Sequence, residues 1–130
     1  MAHLTGTADE VRARVPPVLE AWEFMRDNVL RNGAVDPELK RLCFRYLAED
    51  PEVSDFSRFE GRERVALEWA HAIVWESDAA DDALWERLHA AFSEPELVEL
   101  GCSIGFELGR QHFLRALGAN PGAVRASQLR

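Results

Sequence analysis

Glu68 and His71 stand three residues apart in GRERVALEWAHAIVWE, a stretch otherwise rich in apolar residues. On a helix that spacing puts both side chains on one face. A carboxylate beside an imidazole is an acid–base pair in principle, because burial and the neighbouring charge both move the pKa. Trp75 lies one turn further along the same side. The bland alternative is a structural hydrogen-bonded pair, or a seam between subunits. Glu68-x-x-His71 also resembles half of a carboxylate-bridged di-metal motif, but such bundles use it twice. No second copy occurs here, so no metal and no cofactor is expected.

Three further residue types could carry chemistry. His112 falls on a helical wheel among Gly101, Gly105, Leu108 and Gly109. It is expected to project from the face those glycines hollow out, and to share a pocket with His71 if the two helices pack together. Glu107 and His112 point about 140° apart at helical periodicity and do not suit one metal. Each glycine costs a helix about 1 kcal/mol relative to alanine. The stripe should therefore serve close packing or leave room for a ligand. Cys43, among Leu39, Leu42, Tyr46 and Leu47, reads as a buried thiol, since no histidine within a turn lowers its pKa. Cys102 reads as filling a small core space. His89 reads as a boundary residue, and His3 carries no signal.

The elements that position these residues are helices. Thr7 with Glu10 marks the first start, and Pro16-Pro17 must break or bend that helix before VLEAWEFMRDNVLRN, which Gly33 ends. Asp36 and Pro37 open a second helix that stops before Pro51. Ser57 with Glu60 suggests a capping box ahead of the third, which is apolar nearly all round and so expected at the centre. DDALWERLHAAF forms the fourth. Ser93, Pro95 and Glu96 open the fifth, which runs to Gly118. Five helices with short connections predict an all-α bundle, residues 1–130 forming one domain, with 118–130 as a flexible tail.

Composition bounds the partners. The chain has 130 residues, 47% of them hydrophobic, enough for a packed core. A formal net charge of -8 disfavours nucleic acid and anionic membranes, which need basic patches. Two cysteines without short spacing predict neither a disulfide scaffold nor a cysteine zinc site, and a cytoplasmic setting is the default. MAHLTGTADE shows no basic region followed by an apolar run, so no signal peptide is expected.

The segments Arg62 to Ala70, Asp81 to Leu88 and Phe92 to Leu100 carry a resemblance. They read R-E-R-x-A-L-x-x-A, D-x-x-W-x-x-L and F-S-E-x-E-L-V-E-L. In this order they resemble the C-terminal half of the carboxymuconolactone decarboxylase family, in the branch close to alkylhydroperoxidase D. PELKRLCFRYLA is similar to the family's preceding helix, so the resemblance spans about Val35 to Gly118. It implies an all-α, usually oligomeric fold with its pocket near subunit contacts. Redox members carry Cys-x-x-Cys with a nearby histidine just after that helix, and a relay glutamate within it. This chain reads EDPEVSDF at the cysteine positions, has Arg41 near the glutamate position, and has Ser57 and Arg58 where the histidine would follow. The histidine of the decarboxylase members is missing from Glu49 to Phe59 as well. Neither family activity transfers residue by residue.

The expectation that results is a small-molecule binder or non-thiol enzyme. Glu68, His71 and His112 would be its polar groups, with Trp69, Trp75, Gly105, Phe106 and Gly109 lining the pocket. His71 would act as base or hydrogen-bond donor, Glu68 would orient it, and the chain would form a homo-oligomer. The alternatives are a non-catalytic self-association or interaction protein, and a peroxidase using Cys43 with an external thiol.

Overall fold

The computed structural model describes residues Leu4–Gly118. The predicted tail therefore lies almost entirely outside the described residues. Within them are six α-helices and no strand: α1 (Ala8–Ala13), α2 (Pro16–Met25), α3 (Pro37–Leu47), α4 (Gly61–Trp75), α5 (Asp82–Ala91) and α6 (Glu94–Ala116). The all-α bundle expected from the sequence is what forms. The count is six because Pro16 starts a new helix at its first position instead of bending the old one. A π-helical turn, Arg26–Leu30, extends α2 toward Gly33. No described helix is long and apolar enough to cross a membrane.

Local chemistry sets most of the boundaries. Asp36 caps α3 by accepting from the Glu38 N–H, with Pro37 just inside. Ser93 and Glu96 form a reciprocal capping box at α6. The box expected from Ser57 and Glu60 does not form. Asp55 caps a 3-10 turn, Phe56–Arg58, and takes both the Ser57 N–H and its hydroxyl. Phe59 is then extended, and α4 starts from Glu60 without a side-chain cap.

Helix α4 packs against α3, α5 and α6 and buries Val65, Ala66, Leu67, Trp69, Ala70 and Ala72. Phe44, Leu88, Leu100 and Ile104 are fully buried around it. Each large apolar side chain removed from water contributes about 1.5–3 kcal/mol. Helix α2 joins this core through Trp22, which stacks on Phe106 of α6 at 5.8 Å between ring centroids. The Arg12 guanidinium covers the indole at 4.3 Å.

Two buried polar clusters lock the helices in register. Lys40 of α3 is wholly buried; its ammonium donates to the carbonyls of Val29 and Asn32 and pairs with Glu99 of α6 at 2.9 Å. The Glu99 carboxylate also accepts from the N–H groups of Ala34, at 2.9 Å, and Val35, at 2.7 Å. Gly33 is required there: its φ is +120°, and a Cβ would lie 2.1 Å from a Glu99 oxygen. Deeper in α6, Glu107 pairs with Arg110, and Gln111 donates to the Phe44 carbonyl at 3.1 Å.

Candidate functional site

Helices α3, α4 and α5 enclose a groove of about 610 Å³, lined by Tyr46, Phe56, Glu68, His71, Leu84 and Arg87 among others. It contains two of the three polar residues singled out in the sequence. The geometry pairs them differently. His71 Nδ1 lies 2.6 Å from the Tyr46 hydroxyl, and Nε2 lies 3.8 Å from the Glu76 carboxylate. Glu68 is bound instead by Arg87 of α5, with Arg64 at 3.8 Å on its other oxygen. The orienting partner of His71 is thus a phenol from α3, and Glu68 holds the guanidinium that crosses from α5.

The proton on Tyr46 can be placed. Burial raises the phenol pKa, the Trp75 indole N–H opposes that rise, and the Glu76 charge adds to it; the net direction is upward. Tyr46 therefore stays protonated across the neutral range and has an O–H to donate. Donation to His71 Nδ1 leaves the imidazole proton on Nε2, the nitrogen nearer the Glu76 carboxylate. Phe56 packs edge-on to both rings, at 5.1 Å from Tyr46 and 6.4 Å from His71, which fixes their planes. One wall thus holds a tyrosine–histidine dyad and another a carboxylate–guanidinium pair, with Phe56 and Leu84 as apolar surface between.

Apart from Trp75, whose indole N–H reaches the Tyr46 hydroxyl, the remaining predicted residues lie elsewhere. His112 is exposed on α6. Gly105, Phe106 and Gly109 line a different groove, of about 560 Å³, against Trp22 and Val18 of α2. His112 does not line it, and the structure does not bring His112 to His71. The glycine face points away from α4 except at Gly101, where a Cβ would meet Trp69 at 2.8 Å; at Gly105 and Gly109 it would meet nothing within 4 Å. Trp69 is buried edge-on to Trp85 at 5.6 Å, outside the Tyr46–His71 groove. Trp75 is 60% exposed. Among the described residues, no three of His, Cys, Asp and Glu are grouped to hold a metal ion.

The cysteines differ from one another. Cys43 is fully buried, and burial pushes its thiol up to about 12. Cys102, expected in the core, is exposed and lines a third groove beside Trp69, Trp85 and His89. The neighbours that would cover it are absent because Gly101, not Cys102, faces Trp69.

Sequence reasoning missed Tyr46 and Arg87. Each lies on a different helix from His71, so no spacing rule links them. A usable signal was that Tyr46 is the chain's single tyrosine and sits on the apolar face of its helix. Compared with known proteins, the chain matches no family model, no curated protein and no solved structure.

Proposed function

We propose that the groove between α3, α4 and α5 is a small-molecule site in which His71 is the acid–base or hydrogen-bonding group. The observation that carries this reading is the 2.6 Å contact between the Tyr46 hydroxyl and His71 Nδ1, which leaves Nε2 to serve a bound molecule. Arg87 supplies cationic N–H donors at the same groove, held in place by Glu68. The fitting ligand class is a small molecule with hydrogen-bond acceptors, such as a carboxylic acid, whose apolar part rests on Phe56 and Leu84. His112 drops out of this site. The chain is read as a divergent, homo-oligomeric member of the carboxymuconolactone decarboxylase family, a reading supported by the residues that resemble it.

A carboxylate fragment panel, including benzoate and hexanoate, tests the site by NMR titration of the full chain. Saturable perturbations should cluster at Tyr46, His71 and Arg87 and weaken in His71→Ala. Perturbations elsewhere, or ones indifferent to His71→Ala, overturn the reading.

A second reading is a protein whose business is self-association or partner binding. It is favoured by the exposed Val98 and Phe113 on α6. Peroxidase chemistry at Cys43 has little support, because a thiol held at about 12 and closed to solvent offers no thiolate to peroxide.

A further inference from the structure

Helices α4, α5 and α6 leave a second open groove, of about 430 Å³, which shares no lining residue with the Tyr46–His71 groove. Two indoles form its inner corner. Trp69 of α4 and Trp85 of α5 meet edge to face, with ring centroids 5.6 Å apart and planes at 68°. His89 lies against Trp85 at 5.7 Å and extends the aromatic surface. Gly101 lets α6 come up to this corner, since a Cβ there would lie 2.8 Å from Trp69.

Glu94 brings the only carboxylate of the lining, and no lysine or arginine accompanies it. Among the described residues Glu94 makes no ion pair and accepts no hydrogen bond. The start of α6 does not call for it, because Ser93 and Glu96 already close a reciprocal cap there. An exposed acid without a partner therefore stands beside two tryptophans in one concavity.

Charge and aromatic surface together select the occupant. A neutral apolar molecule would strip water from the carboxylate and return nothing. An anion would be repelled by it. A cation is attracted both by the carboxylate and by the indole faces, and tryptophan is the strongest aromatic partner for a cation. The net charge of -8 adds to the attraction. An alkylated ammonium suits the groove better than a bare one, because its alkyl coat also covers Leu97 and Val98, the latter 66% exposed.

We propose that the groove between α4, α5 and α6 binds a small alkylated ammonium cation, with Trp69 and Trp85 as walls and Glu94 as counter-charge. The site is independent of the Tyr46–His71 groove and takes a ligand of opposite charge.

NMR titration of the full chain with choline tests the site. Of the four indole N–H signals, those of Trp69 and Trp85 should move saturably while those of Trp22 and Trp75 stay. Dimethylbutanol, the neutral alcohol with carbon in place of the choline nitrogen, should bind at least about fivefold more weakly. Hexanoate should leave Trp69 and Trp85 unmoved. Glu94→Gln, at an exposed position, should weaken choline about threefold. Trp85→Leu keeps an apolar wall but removes the ring, and should weaken choline about fivefold. Choline should also slow the reaction of Cys102, which lines the same groove, with a thiol reagent. Absence of saturable movement at Trp69 and Trp85 overturns the proposal, as does equal affinity for dimethylbutanol or indifference to both substitutions. Indole signals that shift on dilution of the chain and ignore choline also overturn it, and place a second copy in the groove.

Discussion

The Tyr46 hydroxyl and His71 Nδ1 sit 2.6 Å apart, joining α3 to α4 at the mouth of a groove. With the hydroxyl as donor, the bond selects one tautomer of the imidazole, with the proton on Nε2. Tyr46→Phe removes it without emptying space. The cost to folding should be about 1 kcal/mol, the net worth of one such hydrogen bond. The larger effect should be on the ring. Long-range nitrogen–proton NMR spectra at neutral pH should show the Nε2–H form in the unaltered chain and a tautomer mixture in Tyr46→Phe. An unaltered chain that already shows Nδ1–H as the main form would reverse the assigned direction of the bond.

Glu99 predicts a pH dependence of stability. Burial pushes its carboxyl up, but the N–H groups of Val35 and Ala34 and the Lys40 ammonium outweigh this and bring it below the ordinary 4.5. A carboxyl whose folded pKa is depressed stabilises the fold fully above its unfolded pKa. That stabilisation is lost as pH falls through the folded value. Denaturation midpoints should thus hold above about pH 5 and decline below the ordinary carboxylate value. Glu99→Gln should cost about 3 kcal/mol at neutral pH, because it leaves the buried Lys40 charge without its counter-ion. It should also flatten the acid limb. An unchanged limb would place the titration elsewhere.

How much of this was readable beforehand follows from the range of the forces involved. Asp36, Pro37, Ser93 and Glu96 act within one helical turn, so their sequence signal survives folding. Ser57 and Glu60 had the same signal and lost to Asp55, whose carboxylate takes the Ser57 N–H first. The all-round apolar pattern of α4 placed it correctly at the centre, because burial on every side needs that pattern. Spacing put Glu68 and His71 on one face, and both line one groove. It had no means of showing that Arg87 and Tyr46 arrive from α5 and α3 to separate them. His112 was misplaced for a related reason: a helical wheel gives the glycine face but not whether a neighbour covers it.

The two thiols should separate cleanly by reactivity. Cys102 is exposed, and Cys43 is buried with its thiol pushed up to about 12. Titration with a disulfide reagent near pH 8 should modify one thiol promptly and the second only on unfolding. Cys102→Ser should remove the prompt phase. Prompt loss of both thiols in a folded sample would contradict the burial of Cys43, and would reopen peroxide chemistry there.

Gly101 and Gly105 stand one helical turn apart and should respond oppositely to the same substitution. Alanine at either gains helix propensity worth about 1 kcal/mol. At Gly105 nothing opposes the gain within the chain, so Gly105→Ala should raise monomer stability by up to that amount. At Gly101 the new methyl would sit 2.8 Å from Trp69 Cη2. Trp69 is 7% exposed and braced edge-on against Trp85, so the indole has little room to yield. Overpacking of this kind costs about 1–3 kcal/mol, which cancels or exceeds the propensity gain. Denaturant melts at low chain concentration should therefore rank Gly105→Ala above the unaltered chain and Gly101→Ala at or below it. A stabilised Gly101→Ala would mean that Trp69 moves freely. Its contact with α6 would then not be what demands glycine there.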